Sequence, residues 1–238
     1  MRALAGTAIL ATLLGCVQAE GQGRESQSTC FGTAANGRLI DAVRLPGAGE
    51  NFRSYSVLAN LLGRTYVHSR VRQAVVAAYA ELALTSPDVV FVYGETGLAA
   101  GGQFKPHKTH RNGTSVDFMV PVRDARSASI PLPTHALNKY GYSLEFDRHG
   151  RLGKFRIDFE AMAEHLDALD RAARHAGISI RRVIFDPQLQ PALVATGAGR
   201  ALARRLRFSS KRSWVRHDEH YHVDFSVPCR ALSEWPGD

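Results

Sequence analysis

Five of the ten histidines in this 238-residue chain fall in two short clusters, at 107–117 and 217–224, and each cluster carries at least one carboxylate. The first reads His107-Lys-Thr-His110-Arg-Asn-Gly113-Thr-Ser-Val-Asp117, the second His217-Asp-Glu-His220-Tyr-His222-Val-Asp224. Neutral imidazole and carboxylate are the usual nitrogen and oxygen ligands of zinc, and a catalytic zinc takes three protein ligands and leaves a fourth position for water. Taken singly, each histidine reads as a solvated loop residue. Together they point to a hydrolytic metal site assembled from two distant segments, because each half supplies what the other lacks. His68, His135, His149, His165 and His175 stand apart and read as structural or surface residues.

Alternation along strands is what must position these groups. A strand from Tyr221 to Val227 puts His220, His222 and Asp224 on one face and Tyr221, Val223 and Phe225 on the other, towards a core. Same-face neighbours lie roughly 7 Å apart, which suits one imidazole on a metal and the next acting on water. Asp117 projects from a strand over Val116 to Val120 by the same logic, opposite Val116, Phe118 and Val120. His110 reaches in from the preceding loop, and Gly113 lets the chain turn between them.

Helical spacing of Val71, Val75, Ala78 and Leu82 predicts a helix from Arg70 to about Leu84, closed by Pro87. A second helix is capped by Asp158, carries Phe159, Met162, Leu166, Leu169 and Ala173 on one stripe, and ends at Gly177. Val89 to Tyr93 and Ile178 to Phe185 read as buried strands, and Pro187 to Phe208 as one or two short basic helices. Residues 30–68 read as loops around small elements, and 123–154 as a long surface excursion without clear period. No internal repeat or low-complexity linker divides the chain. The expected fold is a single α+β domain: a small antiparallel sheet carries the site, flanked by helices and long loops.

Hydrophobic content of 45% and the charge distribution fit a globular protein. The apolar run Ala3 to Val17 behind Arg2, followed by Val17-Gln18-Ala19, has the layout of a secretory signal peptide over 1–19. Residues 20–29 then form a flexible N-terminus, 30–229 the domain and 230–238 a tail. No other stretch approaches a transmembrane span. Export implies the periplasm, with Leu13-Leu14-Gly15-Cys16 offering the alternative of a lipid anchor at Cys16. The mature chain keeps Cys30 and Cys229, and an even pair in an oxidising compartment predicts a disulfide tying the ends together. A net charge of +8 suits a polyanionic partner such as cell wall. Nucleic acid is disfavoured by export and by the absence of basic-aromatic interleaving. Nothing in the sequence sets an oligomeric state.

The spacing His110-(six residues)-Asp117 with a later His220-Tyr-His222 resembles the zinc signature of the lysostaphin, D-alanyl-D-alanine carboxypeptidase and hedgehog-fold peptidases. Cys30-Phe-Gly, Asn36-Gly37, Leu45-Pro46 and Ala100-Gly-Gly-Gln-Phe104 before His107 and His110 narrow the likeness, as does His217-Asp-Glu-His220-Tyr-His222-Val. Together they resemble the penicillin-insensitive murein endopeptidases. The resemblance runs from about Cys30 to Cys229, most loosely over 123–210. It implies a zinc peptidase that cuts D-alanyl-meso-diaminopimelate cross-links of peptidoglycan, with His110, Asp117 and His222 as zinc ligands and His220 as the catalytic histidine. His107 would bind a second metal or orient His110, and His217 would hydrogen-bond substrate or water. Two departures stand out. Glu95 occupies a position where the family pattern has aspartate, and other cysteine pairs of the family are missing. Insensitivity to β-lactams follows from the lack of a serine in a nucleophile elbow. The rival readings are a zinc D,D-carboxypeptidase, a wall-targeting toxin, and a non-catalytic peptidoglycan-binding protein with a structural zinc.

Overall fold

In the computed structural model, which describes residues 27–211 and 215–237, the chain opens on a hairpin of β1 (Thr29–Thr33) and β2 (Asn36–Ile40). The leader expected over 1–19, its Cys16 and residues 20–26 lie outside the described residues. Short pieces follow: β3 (Val43–Arg44), β4 (Phe52–Ser54), helix α1 (Val57–Leu61) and β5 (Tyr66–Val67). Ser28 is already anchored, its backbone N–H donating to Ser69 Oγ at 3.1 Å.

Helix α2 (Ser69–Thr85) forms where the apolar period predicts it. His68 Nδ1 caps it by accepting from Arg70 N at 3.2 Å, and Val71, Ala74, Val75, Ala78 and Leu82 are buried along one side. Strands β6 (Phe91–Tyr93) and β7 (Ser115–Met119) come next. The stretch expected as an excursion, 123–154, instead contributes β9 (Ser129–Ile130) and β10 (Arg151–Leu152) to a second sheet, with β8 (Val122–Arg123) and β11 (Phe155–Ile157) at the stretch's two ends, in the order β10-β11-β8-β9. Strands this short hold too few residues to print an alternating pattern.

Asp158 caps α3 (Phe159–His175), its Oδ1 accepting from Ala161 N at 3.2 Å, and Gly177 in the left-handed region (φ +70°) follows its end. The chain then runs through β12 (Ser179–Ile184), α4 (Gln190–Val194), α5 (Gly199–Arg205) and β13 (His220–Ser226). Its last described turn, at Leu232–Glu234, leads to Trp235, whose ring packs edge-on against Phe31 at 5.2 Å.

The main sheet has the order β12-β13-β7-β6-β4 and is antiparallel except for its β4–β6 edge pair. Helices α2 and α3 pack together on one of its faces. There Tyr221 Oη meets His165 Nδ1 at 2.8 Å, and the Tyr79 and Phe118 rings lie 6.5 Å apart. Val116, Phe118, Tyr221, Val223 and Phe225 point into this core. Alternation sends Asp117, His220, His222 and Asp224 to the opposite face, and the register pairs His222 with Asp117. A one-residue slip would exchange the two sets, so the buried aromatic face fixes the site's register.

Cys30 and Cys229 form the predicted disulfide, with Cα atoms 4.7 Å apart across a sequence separation of 199. Arg230 N and Cys30 O hydrogen-bond beside it at 2.9 Å. Among the described residues no helix is long and apolar enough to cross a membrane.

Candidate metal centre and catalytic pocket

Asp117 is fully buried at the centre of β7 with four imidazoles around its carboxylate. His222 Nδ1 lies 2.8 Å and His110 Nε2 3.2 Å from Oδ1, whereas His220 Nε2 lies 3.9 Å and His107 Nδ1 4.0 Å from Oδ2. His220 and His222 arrive on β13. His107 and His110 arrive on the loop before β7, where Gly113 makes the turn: at φ +74° any Cβ there would sit 2.7 Å from His68 N. His217, just before β13, packs against His220 with tilted rings, their centroids 4.6 Å apart. All six residues singled out in the sequence are thus brought together, and they line or border a cavity of about 560 Å³.

Every one of the five rings is anchored at one nitrogen by a partner outside the centre. His110 Nδ1 faces Thr96 O at 3.1 Å, and His217 Nδ1 faces Val215 O at 2.9 Å. His220 Nδ1 meets Glu219 Oε1 and His222 Nε2 meets Asp224 Oδ1, both at 2.8 Å, while His107 Nε2 meets Glu95 Oε2. An acceptor behind a ring holds the N–H there and leaves the other nitrogen a lone pair. In this way His110 Nε2 and His222 Nδ1 both face Asp117 Oδ1, and His222 Nδ1 can either carry a proton shared with that oxygen or offer a lone pair to a cation.

Acceptors converging in a dry interior repel one another unless a cation or proton lies among them. His110 Nε2 is buried without any hydrogen-bond partner, an orphan in a molecule whose buried polar atoms are otherwise mostly satisfied. His107, His110 and Asp117 each offer a ligand atom within 4.8 Å of the others and could hold a metal ion. Two nitrogen donors and one carboxylate are a zinc-type donor set, and an outer carboxylate on a ligand's far nitrogen is the usual support for such ligands. The residues present fit a metal of this class.

The charges agree with this geometry. Burial opposes ionisation of Asp117, but His110, His220 and His222 outweigh it and hold the carboxyl well below the usual range. Burial lowers the His110 imidazole and keeps it neutral against the pull of Asp117. Burial also pushes His222 down, yet its position between Asp224 and Asp117 raises it to about 10. A proton and a cation therefore compete for the same place between His222 and Asp117. Burial and neighbouring His220 lower His217 to about 4, so its ring is neutral at pH 7.

Three contributors have no clear signal in the sequence. Tyr142 comes from the 123–154 stretch; its hydroxyl donates to Asp117 Oδ2 at 3.0 Å and accepts from Glu95 N at 2.9 Å, and its ring lies edge-on 4.9 Å from His220. Gly94 makes room for it, since a Cβ there would sit 2.5 Å from the Tyr142 hydroxyl. Glu219 stands directly before His220 in sequence but is recognisable as its anchor only once the side chains are placed. Glu95, which stands in place of the expected aspartate, accepts from Tyr55 Oη at 2.8 Å, from His107 and from Arg64. Burial works against its charge, and His107 and Arg64 hold its carboxyl down at about 2.

No curated protein matches this chain. The family model described as penicillin-insensitive murein endopeptidase matches residues 30–233, which include both histidine clusters, Glu95, Tyr142 and both disulfide cysteines. The chain belongs to the penicillin-insensitive murein endopeptidase family.

Proposed function

We propose that this protein is an exported, zinc-dependent endopeptidase that hydrolyses D-alanyl-meso-diaminopimelate cross-links of peptidoglycan, with its leader over 1–19 removed on export. His110, Asp117 and His222 are the zinc ligands, His220 is the catalytic histidine, and His107 is available to the metal as a further imidazole. The observation that carries this reading is the convergence of His110 Nε2 and His222 Nδ1 on Asp117 Oδ1, each ring braced from behind. The Cys30–Cys229 disulfide supports an oxidising compartment, as the periplasm is.

Zinc in such a set supplies Lewis-acid activation of water and of the scissile carbonyl. The protein's own groups supply the rest. His220 presents Nε2 to the cavity while Nδ1 is held by Glu219. Burial disfavours a charged His220, but Glu219 and Asp117 outweigh it and raise its pKa. That favours the imidazolium formed when His220 takes a proton from the attacking water as the new C–O bond forms. The same proton passes to the leaving nitrogen as the C–N bond breaks. His217, neutral and hydrogen-bonded to Val215 through Nδ1, keeps Nε2 as an acceptor for a substrate N–H. A non-catalytic wall-binding protein would have no use for a carboxylate-braced His220 beside the ligands.

The reading is tested by paired variants. His110→Ala should lose both zinc and hydrolysis of a cross-linked muropeptide dimer, and His220→Ala should lose hydrolysis while retaining zinc by elemental analysis. Full hydrolysis by His220→Ala would remove that residue from the mechanism, and full zinc retention by His110→Ala would refute the ligand set.

A further inference from the structure

The turn Ala136–Gly141 reaches the cavity in a backbone conformation that side-chain-bearing residues avoid. Lys139 (φ 50°, ψ 42°) and Tyr140 (φ 58°, ψ 37°) are consecutive left-handed residues, and neither is glycine. That region brings Cβ too close to the following carbonyl oxygen and is rarely visited even by single residues. Asn138 clamps the turn: its Oδ1 accepts from His135 N at 3.0 Å and Gly141 N at 2.9 Å, and its Nδ2 donates to Pro133 O at 2.8 Å. His135 O accepts from Tyr140 N at 2.8 Å. The Tyr140 ring then packs edge-on against Tyr55, with centroids 6.0 Å apart, fixing the turn to the cavity wall. Strain maintained by this many contacts is characteristic of functional positions.

What the turn presents is Lys139, exposed and lining the cavity. Three other cations, Arg64, Lys108 and Arg182, line the wall, and each is engaged within the protein. Arg64 pairs with Glu95, and Arg182 Nη2 donates to Asp224 Oδ2. Among the described residues Lys139 has no ion-pair partner.

We propose that Lys139 is a substrate-recognition residue, whose ammonium group, held at the cavity by the Asn138-clamped turn, binds a free carboxylate of the stem peptide and selects it over the carboxamide. This rests on the murein endopeptidase reading and adds a determinant of specificity to it. Besides the C-terminal carboxylate of the acceptor stem, a diaminopimelate cross-link offers two side carboxylates, the unsubstituted carboxyl of diaminopimelate and the α-carboxyl of γ-linked D-glutamate, and these two are the candidate sources.

Three synthetic dimers decide between the sources: one with both carboxylates free, one amidated at diaminopimelate and one amidated at glutamate. Their kcat/KM values are compared for the zinc-loaded native protein, Lys139→Met, Lys139→Arg and Lys139→Gly, alongside calorimetric binding of the matching uncross-linked stems. The native protein should prefer the free acid over one of the two amides by about tenfold, as for a charge-assisted contact. Lys139→Arg should keep the preference, and Lys139→Met should reduce the ratio to about one. Lys139→Gly, which suits the left-handed backbone, should lose it equally. No discrimination by the native protein, or discrimination surviving in Met and Gly, would overturn the proposal. If no dimer is cleaved by any protein, the endopeptidase reading fails, and calorimetry still decides on Lys139. Tighter binding of the acid stem that disappears in Lys139→Met sustains its role, and equal affinities refute it.

Discussion

Asp117 and His222 face each other across adjacent antiparallel strands, with His222 Nδ1 2.8 Å from Asp117 Oδ1 and the ring's other nitrogen 2.8 Å from Asp224 Oδ1. One imidazole is thereby held between two carboxylates, the inner one belonging to the proposed metal centre and the outer one tied to Ser115 Oγ at 2.7 Å and to Arg182. Replacing the outer carboxylate by a near-isosteric amide, Asp224→Asn, should leave the fold intact and lower zinc affinity about 10–100-fold. Competition with a chromophoric chelator measures this, and an unchanged affinity would show that Asp224 does not orient His222.

The brace on His220 makes a separate prediction. Glu219→Gln removes the charge that favours the imidazolium but keeps a hydrogen-bonding side chain in place. It should lower kcat by roughly 10²–10⁴-fold, the range of a general acid-base contribution, with bound zinc unchanged. Loss of zinc in step with activity would assign Glu219 to the metal centre instead.

Tyr142→Phe deletes only the hydroxyl shared by Asp117 Oδ2 and Glu95 N. A hydrogen bond to a charged group contributes about 1.5–3 kcal/mol, so the variant should bind zinc or turn over substrate about 10-fold more weakly, or worse. Chelator competition and steady-state kinetics separate the two effects, and native values for both would make the hydroxyl dispensable.

How much of this is legible in the sequence depends on how far each pattern extends. The long helices announce themselves through four or five turns of apolar spacing and through Asp158 and Gly177 at the ends of α3. The alternation Tyr221-His222-Val223-Asp224-Phe225 gives the polar and core faces of β13, and that of Val116-Asp117-Phe118 those of β7. Which residue of β7 lies opposite His222 is a matter of register, which neither strand states alone. The strands of the second sheet hold two or three residues and leave no periodic trace, so the turn carrying Lys139, Tyr140 and Tyr142 reads as surface. Partners such as Thr96 and Glu219 act through local side-chain and carbonyl placement, for which no spacing rule exists.

Acid should destabilise the protein through a histidine remote from the metal centre. His165 is fully buried beneath the sheet, and burial lowers its pKa to about 3. The unfolded chain takes up a proton near pH 6.5 that the native state refuses, so stability falls with pH from about 6.5 down to about 3, by on the order of 4–5 kcal/mol in all. His68, lowered to about 4 by burial and nearby Arg70, acts in the same direction over a narrower range. Denaturant midpoints measured between pH 7 and 4 should show this slope in the native protein and a shallower one in His165→Gln. Identical slopes would exclude His165 as the source.

The disulfide closes nearly the whole domain, across a sequence separation of 199. Chain-entropy reasoning gives such a loop about 5 kcal/mol of stabilisation. The double variant Cys30→Ser, Cys229→Ser should unfold at a clearly lower temperature than the oxidised protein and should no longer respond to reductant. An equal melting temperature would show that the adjoining hydrogen bonds and the Phe31–Trp235 contact hold the termini unaided.

Digestion of purified diaminopimelate-type peptidoglycan by the zinc-loaded mature protein, with fragments read by mass spectrometry, decides whether the Asp117 centre serves a metal-dependent endopeptidase. Chelator-treated protein and His110→Ala serve as controls. Cross-linked dimers should be converted to monomers bearing new D-alanine carboxyl and diaminopimelate amino termini, with no conversion in either control. Dimers that stay intact with the zinc-loaded protein, or conversion that persists after zinc removal, would contradict that role.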